Sequence, residues 1–306
     1  MSDFDVVIIG GGPAALAAGI YICRGNYRSL LIDKDGFGGN DKNAELIENY
    51  PGFGAAVNGA TLASEMIAQA AKYGLEMEIG EVAGIELYSS ARCVNLTDGR
   101  SYTADALIIA SGCSRKKLNV PGENDLAGKG LIECALCDGG QFEGKTVAVC
   151  GGGDTGVTEA LYLTKLASKV TLYEAEPRLS ASAILQQRAH SNRKLEVRCR
   201  AKVAAILGSE KVEGIEIEDV HTHQREIVKV EGILVDIGMQ PNTSFLNRSI
   251  SLDGQKRVQV NKNMETCVPY IYAAGDVRSD SPGQVVTAVG DGATAAISIQ
   301  KILQQR

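Results

Sequence analysis

The sequence of residues 5–33 is DVVIIGGGPAALAAGIYICRGNYRSLLID, and residues 146–174, TVAVCGGGDTGVTEALYLTKLASKVTLYE, repeat its pattern without a gap. Each stretch begins with an apolar run, at residues 6–9 and 147–150, which is typical of a buried parallel strand. A glycine-rich turn, a helical stripe and a second strand follow, and each stretch ends in an acid. This order of parts predicts two βαβ units that bind dinucleotides.

Small residues occupy the three fingerprint positions of each turn, namely Gly10, Gly12 and Ala15 in the first and Gly151, Gly153 and Gly156 in the second. The first allows the tight turn, the second lets the backbone approach a pyrophosphate, and the third lets the helix pack on the strand. The terminal acids, Asp33 and Glu174, stand where a ribose diol is held. One such turn also fits an ordinary strand-to-helix connection. Two complete copies favour two dinucleotides, as in flavoenzymes that pass electrons between FAD and a second carrier.

The 306-residue chain has 31 basic and 37 acidic residues, and its formal net charge is −6. This charge argues against nucleic acid and anionic membranes as partners, because both favour a basic patch. No apolar run reaches the roughly 18 residues of a membrane span, and residues 1–5 lack the basic start of a signal peptide. Eight cysteines with one close pair are too sparse for a secreted disulfide scaffold. We therefore expect a cytoplasmic globular protein.

The close cysteine pair is Cys134-Ala135-Leu136-Cys137, and it allows three interpretations. A zinc half-site would need two further ligands at a matching spacing, and the other cysteines and the three histidines are scattered. Two buried thiols could also fall at this spacing by chance. We favour a redox disulfide and expect no metal, because Cys-x-x-Cys in a chain with βαβ units is a dithiol signature.

Near the carboxyl terminus, residues 271–277 are IYAAGDV. The apolar residues predict a strand that ends at Gly275-Asp276, and a helix is expected to begin near Gly283. A carboxylate at such a strand end can accept hydrogen bonds from a ribitol chain, and a helix amino terminus can stabilise a reduced flavin. A plain strand–turn–helix connection fits these residues equally well.

Together these stretches resemble the low-molecular-weight thioredoxin reductases over nearly the full chain. The matching motifs, in order, are GGGPAA (10–15), ENYPGF (48–53), IIASGCSRKKLNVPGE (108–123), CALCDG (134–139), GGGDTG (151–156), IGMQPNT (237–243) and AAGDV (273–277). The resemblance implies an α/β fold with two Rossmann-like domains, the second inserted into the first. It also implies an FAD domain at 1–115 and 246–306, a nicotinamide-type domain carrying the cysteine pair at 116–245, and a homodimer.

The resemblance also implies the cofactor-binding residues. Those for FAD are Gly10, Gly12, Pro13, Ala14, Ala15, Asp33, Lys34, Gly39, Asn40, Asn49, Val82, Ala110, Ser111, Gly112, Gly275, Asp276, Gln284 and Val285. Those for the second dinucleotide are Gly151, Gly153, Asp154, Thr155, Gly156 and Glu174. The chain departs from the family at Asn40, where Gln is usual, and at Gly283, where Arg is usual.

The catalytic residues that the resemblance implies are Cys134, Cys137 and Asp138. By this match Cys137 faces the flavin, and Cys134 attacks the substrate disulfide. No histidine lies near any motif, so the carboxyl of Asp138 is the available proton donor for a leaving thiolate. The carboxylate of Asp138 could instead, or in addition, cap a helix.

The sequence allows two classes of electron donor, a nicotinamide coenzyme and a non-nicotinamide donor. Family members that use NADPH carry a His-Arg-Arg…Arg cluster after the second strand, whereas residues 173–178 here are YEAEPR. A carboxylate at Glu174 disfavours a 2′-phosphate and suits the free 2′-hydroxyl of NADH. Loss of the arginine cluster also marks family members that take electrons from ferredoxin or a second flavin.

The electron acceptor implied by the resemblance is thioredoxin or a thioredoxin-like dithiol protein, with a glutaredoxin-like protein as an alternative. The family carries an aromatic pair after CxxCDG that grips thioredoxin, and Phe142 alone stands in that stretch here. We therefore predict an FAD-dependent thioredoxin-disulfide reductase. The alternative is the same fold acting as a non-catalytic, flavin-bound redox sensor.

Overall fold

The computed structural model describes residues 2–44, 47–88, 91–132, 134–246 and 248–305, without the side chain of residue 137. The helices are α1 (Pro13–Arg24), α2 (Gly59–Lys72), α3 (Ala135–Asp138), α4 (Asp154–Leu163), α5 (Ala183–Ser191) and α6 (Val285–Leu303). The strands are β1 (Phe4–Ile9), β2 (Ser29–Asp33), β3 (Glu76–Ile79), β4 (Val82–Leu87), β5 (Arg92–Leu96), β6 (Ser101–Ile109), β7 (Cys113–Arg115), β8 (Leu131–Ile132), β9 (Thr146–Cys150), β10 (Lys169–Glu174), β11 (Leu195–Cys199), β12 (Ala201–Leu207), β13 (Gly214–Asp219), β14 (Arg225–Val228), β15 (Gly232–Val235), β16 (Met239–Pro241) and β17 (Ile271–Ala273).

The chain divides into two units, and the predicted α/β class is confirmed. Unit 1 comprises Met1–Ser114 and Gln240–Arg306, and unit 2 comprises Arg115–Met239. The chain leaves unit 1 along β7 and returns along β16, and these two short strands pair with each other. Among the described residues, no helix has both the length and the apolarity that a bilayer crossing requires.

The sheet of unit 1 has the strand order β3-β2-β1-β6-β5-β4, and β17 also pairs with β6. The pairs around β1 are parallel, and Ile8 lies between Leu31 of β2 and Ile108 of β6. These side chains are fully buried. Helix α1 begins at Pro13, whose fixed φ suits the first helical position, and Leu16 and Ile22 of this helix are buried in the same core as Ile8.

Unit 2 repeats this arrangement in a parallel sheet of order β11-β10-β9-β15-β8. Val149 of β9 lies between Leu172 of β10 and Leu234 of β15, and all three are fully buried because helices cover the sheet. Strands β12, β13 and β14 form a separate antiparallel sheet. The two sequence repeats are therefore two copies of one strand–turn–helix–strand unit, each with its own core.

Candidate active site

The first glycine-rich turn joins β1 to α1 and is fixed by close backbone approaches. Gly10 has φ 114°, and a methyl group there would overlap the carbonyl oxygen of Ala110. The N–H of Gly11 donates to Asp33 Oδ2 at 2.7 Å, and the N–H of Asp35 donates to Asp33 Oδ1 at 2.8 Å. Burial raises the pKa of Asp33, although these two N–H groups oppose the shift. The carboxylate therefore closes the turn at the carboxyl end of β2.

The second glycine-rich turn, between β9 and α4, has the same geometry. Gly151 has φ 115°, and a methyl group there would overlap the carbonyl oxygen of Asp236. The N–H of Gly152 donates to Glu174 Oε2 at 2.6 Å, and the N–H of Glu176 donates to Glu174 Oε1 at 2.9 Å. Each turn thus presents a helix amino terminus beside a carboxylate, which is the arrangement that binds a pyrophosphate and a ribose diol.

Other predicted FAD residues meet around the first turn through side-chain contacts. Asn49 Nδ2 donates to Gln284 Oε1 at 2.7 Å, although 235 residues separate them. Asn40 Nδ2 donates to the carbonyl of Cys113 at 2.8 Å, and the Cys113 thiol donates to the carbonyl of Asp276 at 3.1 Å. These contacts bring the loop after β2, the chain after β6 and the chain after β17 to the carboxyl end of one sheet.

The remaining predicted residues have the following positions. Lys34 follows β2 and pairs with Glu81 at 3.8 Å, Val82 begins β4, and Val285 begins α6. Residues 110–112 follow β6, where Ser111 Oγ donates to the carbonyl of Asn242 at 2.8 Å. In unit 2, Asp154 and Thr155 begin α4.

An FAD molecule fits the chemistry of the first site. The backbones of Gly12 and Gly39 approach so closely that a methyl group on Gly39 would lie 2.8 Å from the Cα of Gly12, so side chains leave this surface free for a ligand. The N–H groups at the start of α1 would hold the pyrophosphate, and Asp33 the ribose. Asp276 Oδ1 accepts from Ser281 Oγ at 3.0 Å, which holds the carboxylate beside this surface for the ribitol chain.

Two features of this site were missed in the sequence. Asp291 of α6 accepts a bidentate pair from Arg278, at 2.6 and 3.0 Å, and also accepts the N–H of Gly275 at 3.1 Å. Burial and the nearby Asp276 raise the pKa of Asp41 to about 6. An acid inside the apolar pattern of α6 was the only sequence signal for the first feature. Asp41, directly after Asn40, had no signal of its own.

The cysteine motif lies at the start of α3. Cys134 is disulfide-bonded and 8% exposed, whereas the described cysteines outside the motif are free thiols. The N–H of Asp138 donates to the carbonyl of Cys134 at 3.2 Å, so Cys134 directly precedes the single turn of α3. The predicted role of Cys137 depends on a side chain outside the described part of the chain.

Asp138 is exposed, and within the described residues its side chain makes no capping hydrogen bond, so the alternative capping role is not seen. Phe142, the one aromatic residue in the stretch where the family carries an aromatic pair, is 1% exposed and lies in the core of unit 2. A methyl group on Gly232 would overlap its ring, so this aromatic side chain packs inward because the strand leaves it room.

Comparison with known families gives a match to the model described as pyridine nucleotide-disulphide oxidoreductase, over residues 4–292. The chain belongs to this family. It is therefore an oxidoreductase, and its two βαβ units and disulfide-bonded Cys134 are the features that the family description leads one to expect.

Three known proteins are similar to this chain over almost the whole length of both. A thioredoxin reductase of Bacillus subtilis is 39% identical over 99% of the chain and 95% of its own length. A thioredoxin reductase of Listeria monocytogenes is 37% identical over 99% and 94%. The crystal structure of the thioredoxin reductase of Lactococcus lactis matches with a TM-score of 0.95 and 34% identity, over 99% of this chain and all of that one.

Proposed function

We propose that the chain is an FAD-dependent thioredoxin-disulfide reductase that takes its electrons from NADH. The observation that carries the proposal is the disulfide at Cys134, placed at the start of α3 in a chain with two dinucleotide-type βαβ units. The similarity to three thioredoxin reductases over at least 94% of their lengths supports thioredoxin as the acceptor. FAD, when bound in unit 1, supplies the two-electron relay between the nicotinamide and the disulfide.

The cysteine chemistry then follows from the motif. After the Cys134–Cys137 disulfide has gained two electrons, the Cys134 thiolate attacks the thioredoxin disulfide and forms a mixed disulfide. Cys137 next attacks Cys134, which re-forms the original disulfide and releases reduced thioredoxin. Asp138 supplies the proton that the leaving thiolate takes up. Its exposure supports this role, because a substrate sulfur can approach it.

The choice of NADH rests on Glu174. Both of its carboxylate oxygens already accept backbone N–H groups, so the charge is held at the end of β10. Asp33 has the same pair of bonds in the FAD-type site, where the adenosine ribose carries no 2′-phosphate. A 2′-phosphate beside Glu174 would place two anions in contact, which costs several kcal/mol. A free ribose diol can donate hydrogen bonds to the same carboxylate.

An anaerobic titration of the yellow protein tests the donor. NADH, NADPH and reduced ferredoxin are added in separate experiments while the flavin absorbance is followed. We expect NADH to reduce the flavin at micromolar concentrations and NADPH to need far more. Flavin reduction by NADPH at equal or lower concentration would contradict the role of Glu174, and reduction by ferredoxin alone would exclude a nicotinamide donor.

A second step tests the acceptor and the alternative role as a sensor. Oxidised thioredoxin is added to the reduced protein, and flavin reoxidation and thioredoxin thiols are measured together. We expect one thioredoxin disulfide reduced for each electron pair supplied. Reduced flavin that leaves both disulfides intact would favour the non-catalytic sensor. We also propose that the protein is cytoplasmic and forms a homodimer. Analytical ultracentrifugation of the purified protein tests the oligomeric state.

A further inference from the structure

The chain after β17 carries Asp276, the predicted acceptor of the ribitol hydroxyls, on a very short element. This element is the 3₁₀ helix Gly275–Val277, and Gly275 at its start has φ 77°. The hydrogen bonds of a 3₁₀ helix have poorer geometry than those of an α-helix, and here they span a single turn. The groups outside the helix that hydrogen-bond to Asp276 therefore decide where its carboxylate points.

Two donors from distant parts of the chain meet at the backbone carbonyl of Asp276. One is the Cys113 thiol, at 3.1 Å, and the other is Arg257 Nη1. A carbonyl oxygen has two lone pairs, so it can accept both donors. A thiol is a weak donor, whereas a hydrogen bond from an ionised group is roughly twice as strong as one between neutral groups. The guanidinium of Arg257 is therefore the stronger of the two donors.

The backbone around Arg257 is fixed beside the same segment of the chain. The N–H of Val258 donates to the carbonyl of Val277 at 2.9 Å. The turn before Arg257 is closed by Asp253, whose Oδ1 accepts the N–H of Arg257 at 2.9 Å. These backbone hydrogen bonds bring the guanidinium to the carbonyl of Asp276.

The charge of Arg257 is directed at this carbonyl and not at a carboxylate. In the part of the chain that the structure describes, the partly buried Arg257 side chain donates to the Asp276 carbonyl and forms no salt bridge. The nearby carboxylate of Asp253 accepts backbone N–H groups instead, from Gln255 at 2.8 Å and from Arg257. The position of the guanidinium is thus explained by the backbone group that it binds.

We propose that Arg257 is a positioning residue for the flavin half of FAD, which acts by fixing the carbonyl of Asp276 and with it the direction of the Asp276 carboxylate. Ser281 Oγ donates to that carboxylate at 3.0 Å and fixes it from the other end. The inference rests on the proposed function only in taking FAD as the ligand of unit 1 and Asp276 as a ribitol contact. The adenosine half, which we predict at Asp33, should not depend on Arg257.

The test compares FAD with ADP, which carries the adenosine and pyrophosphate groups without the flavin. The full-length protein is freed of flavin, its cooperative unfolding is checked, and the dissociation constants of FAD and ADP are measured by calorimetry. Arg257→Gln should weaken FAD binding by about tenfold or more, because a charge-assisted hydrogen bond to the Asp276 carbonyl is lost. ADP binding should change by less than about twofold. Equal losses for both ligands, or an unchanged FAD affinity, would overturn the proposal.

Matched variants separate the role of this guanidinium from the effect of net charge. Lys256→Gln removes a positive charge from the preceding, exposed residue and should leave both dissociation constants unchanged. Arg257→Lys keeps a charged donor and should recover most of the loss, because one N–H of the guanidinium makes the bond. Arg257→Lys that binds FAD no better than Arg257→Gln would contradict the role of a charged donor. If Arg257→Gln does not fold, Arg257→Met, which keeps an apolar stem, is measured in its place.

The failure of this inference and the failure of the proposed function give different results. A protein that binds FAD but reduces no thioredoxin, or accepts no electrons from NADH, lacks the proposed function and leaves the binding comparison intact. A protein that reduces thioredoxin, and whose Arg257→Gln variant binds FAD as tightly as the parent protein does, contradicts this inference alone.

Discussion

Asp33 and Glu174 differ by one methylene group, yet their carboxylates accept the same two kinds of hydrogen bond. One comes from the N–H of the middle glycine of the turn, and the other from the N–H of the residue two positions after the acid. These shared backbone contacts hold both carboxylates at the carboxyl ends of their strands, where we predict a ribose diol. Under the proposed function, the choice between nicotinamide coenzymes would depend on the carboxylate of Glu174, and substitutions at single residues test this.

Glu174→Ala should weaken NADH binding by about tenfold to a hundredfold, because a charged acceptor of the ribose hydroxyls is lost. The dissociation constant from an anaerobic flavin titration is the measurement. The matched control is Glu176→Ala, which removes a neighbouring exposed carboxylate and keeps the backbone N–H that bonds to Glu174. Equal losses in the two variants would mean that net charge, and not the carboxylate at the end of β10, governs affinity.

Cys134→Ser should lower thioredoxin reduction by about three orders of magnitude or more, because the attacking sulfur is gone. Flavin reduction by the donor should stay close to that of the parent protein, since the first half of the reaction does not need this thiol. Stopped-flow flavin absorbance and thioredoxin thiol release measure the two halves. Normal thioredoxin turnover in this variant would remove Cys134 from the mechanism. Cys267→Ser, an exposed free thiol, is the control.

At the scale of secondary-structure elements, α6 is tied to the 3₁₀ helix Gly275–Val277 through Asp291. Asp291→Ala should lower the free energy of unfolding by about 3–5 kcal/mol, because Arg278 is left buried without its partner. It should also weaken FAD retention, since Gly275 loses its acceptor. Denaturant unfolding and the ratio of flavin to protein are the measurements. Glu81→Ala, which breaks an exposed pair with Lys34, should change stability by less than about 1 kcal/mol.

The elements that could be predicted from sequence are those with local signals. The strand, glycine turn, helix and terminal acid of each repeat lie within 29 consecutive residues, so periodicity and turn chemistry were enough to place them. The ion pairs that Arg115 forms with Glu159 and Asp236 could not be predicted, nor could the pair of Arg278 and Asp291. Their partners come from different elements, and nothing local distinguishes these charged residues from solvated ones.

Phe142 is a second example of a side chain whose position could not be predicted from the local sequence. The sequence shows one aromatic residue where the family carries a pair that grips thioredoxin, but it does not show that the Phe142 ring occupies the space that Gly232 leaves open. Only the pairing of β15 with β9 brings Gly232 to this place. The roles of the individual cofactor residues remain predictions, and Glu174→Ala tests one of them.

At the scale of the whole molecule, unit 2 is one continuous insertion between residues 114 and 240. The N–H of Asn242 donates to the carbonyl of Gly112 at 3.0 Å, so the chain leaves and re-enters unit 1 at neighbouring points. Replacing residues 115–239 by a short glycine linker should give a folded, yellow protein with no dithiol exchange, because the buried clusters of unit 1 remain whole. Flavin fluorescence and cooperative thermal unfolding check this, and a colourless or aggregated product would contradict it.

The two hydrogen bonds that the Glu174 carboxylate accepts also limit coenzyme engineering. Replacing this acid with arginine to accept NADPH would leave the N–H groups of Gly152 and Glu176 without their acceptor. The second glycine-rich turn would then lose the hydrogen bonds that hold its shape. Under the proposed function, the coenzyme preference and the shape of this loop would depend on the same carboxylate, so a successful switch must supply a replacement acceptor as well as new positive charge.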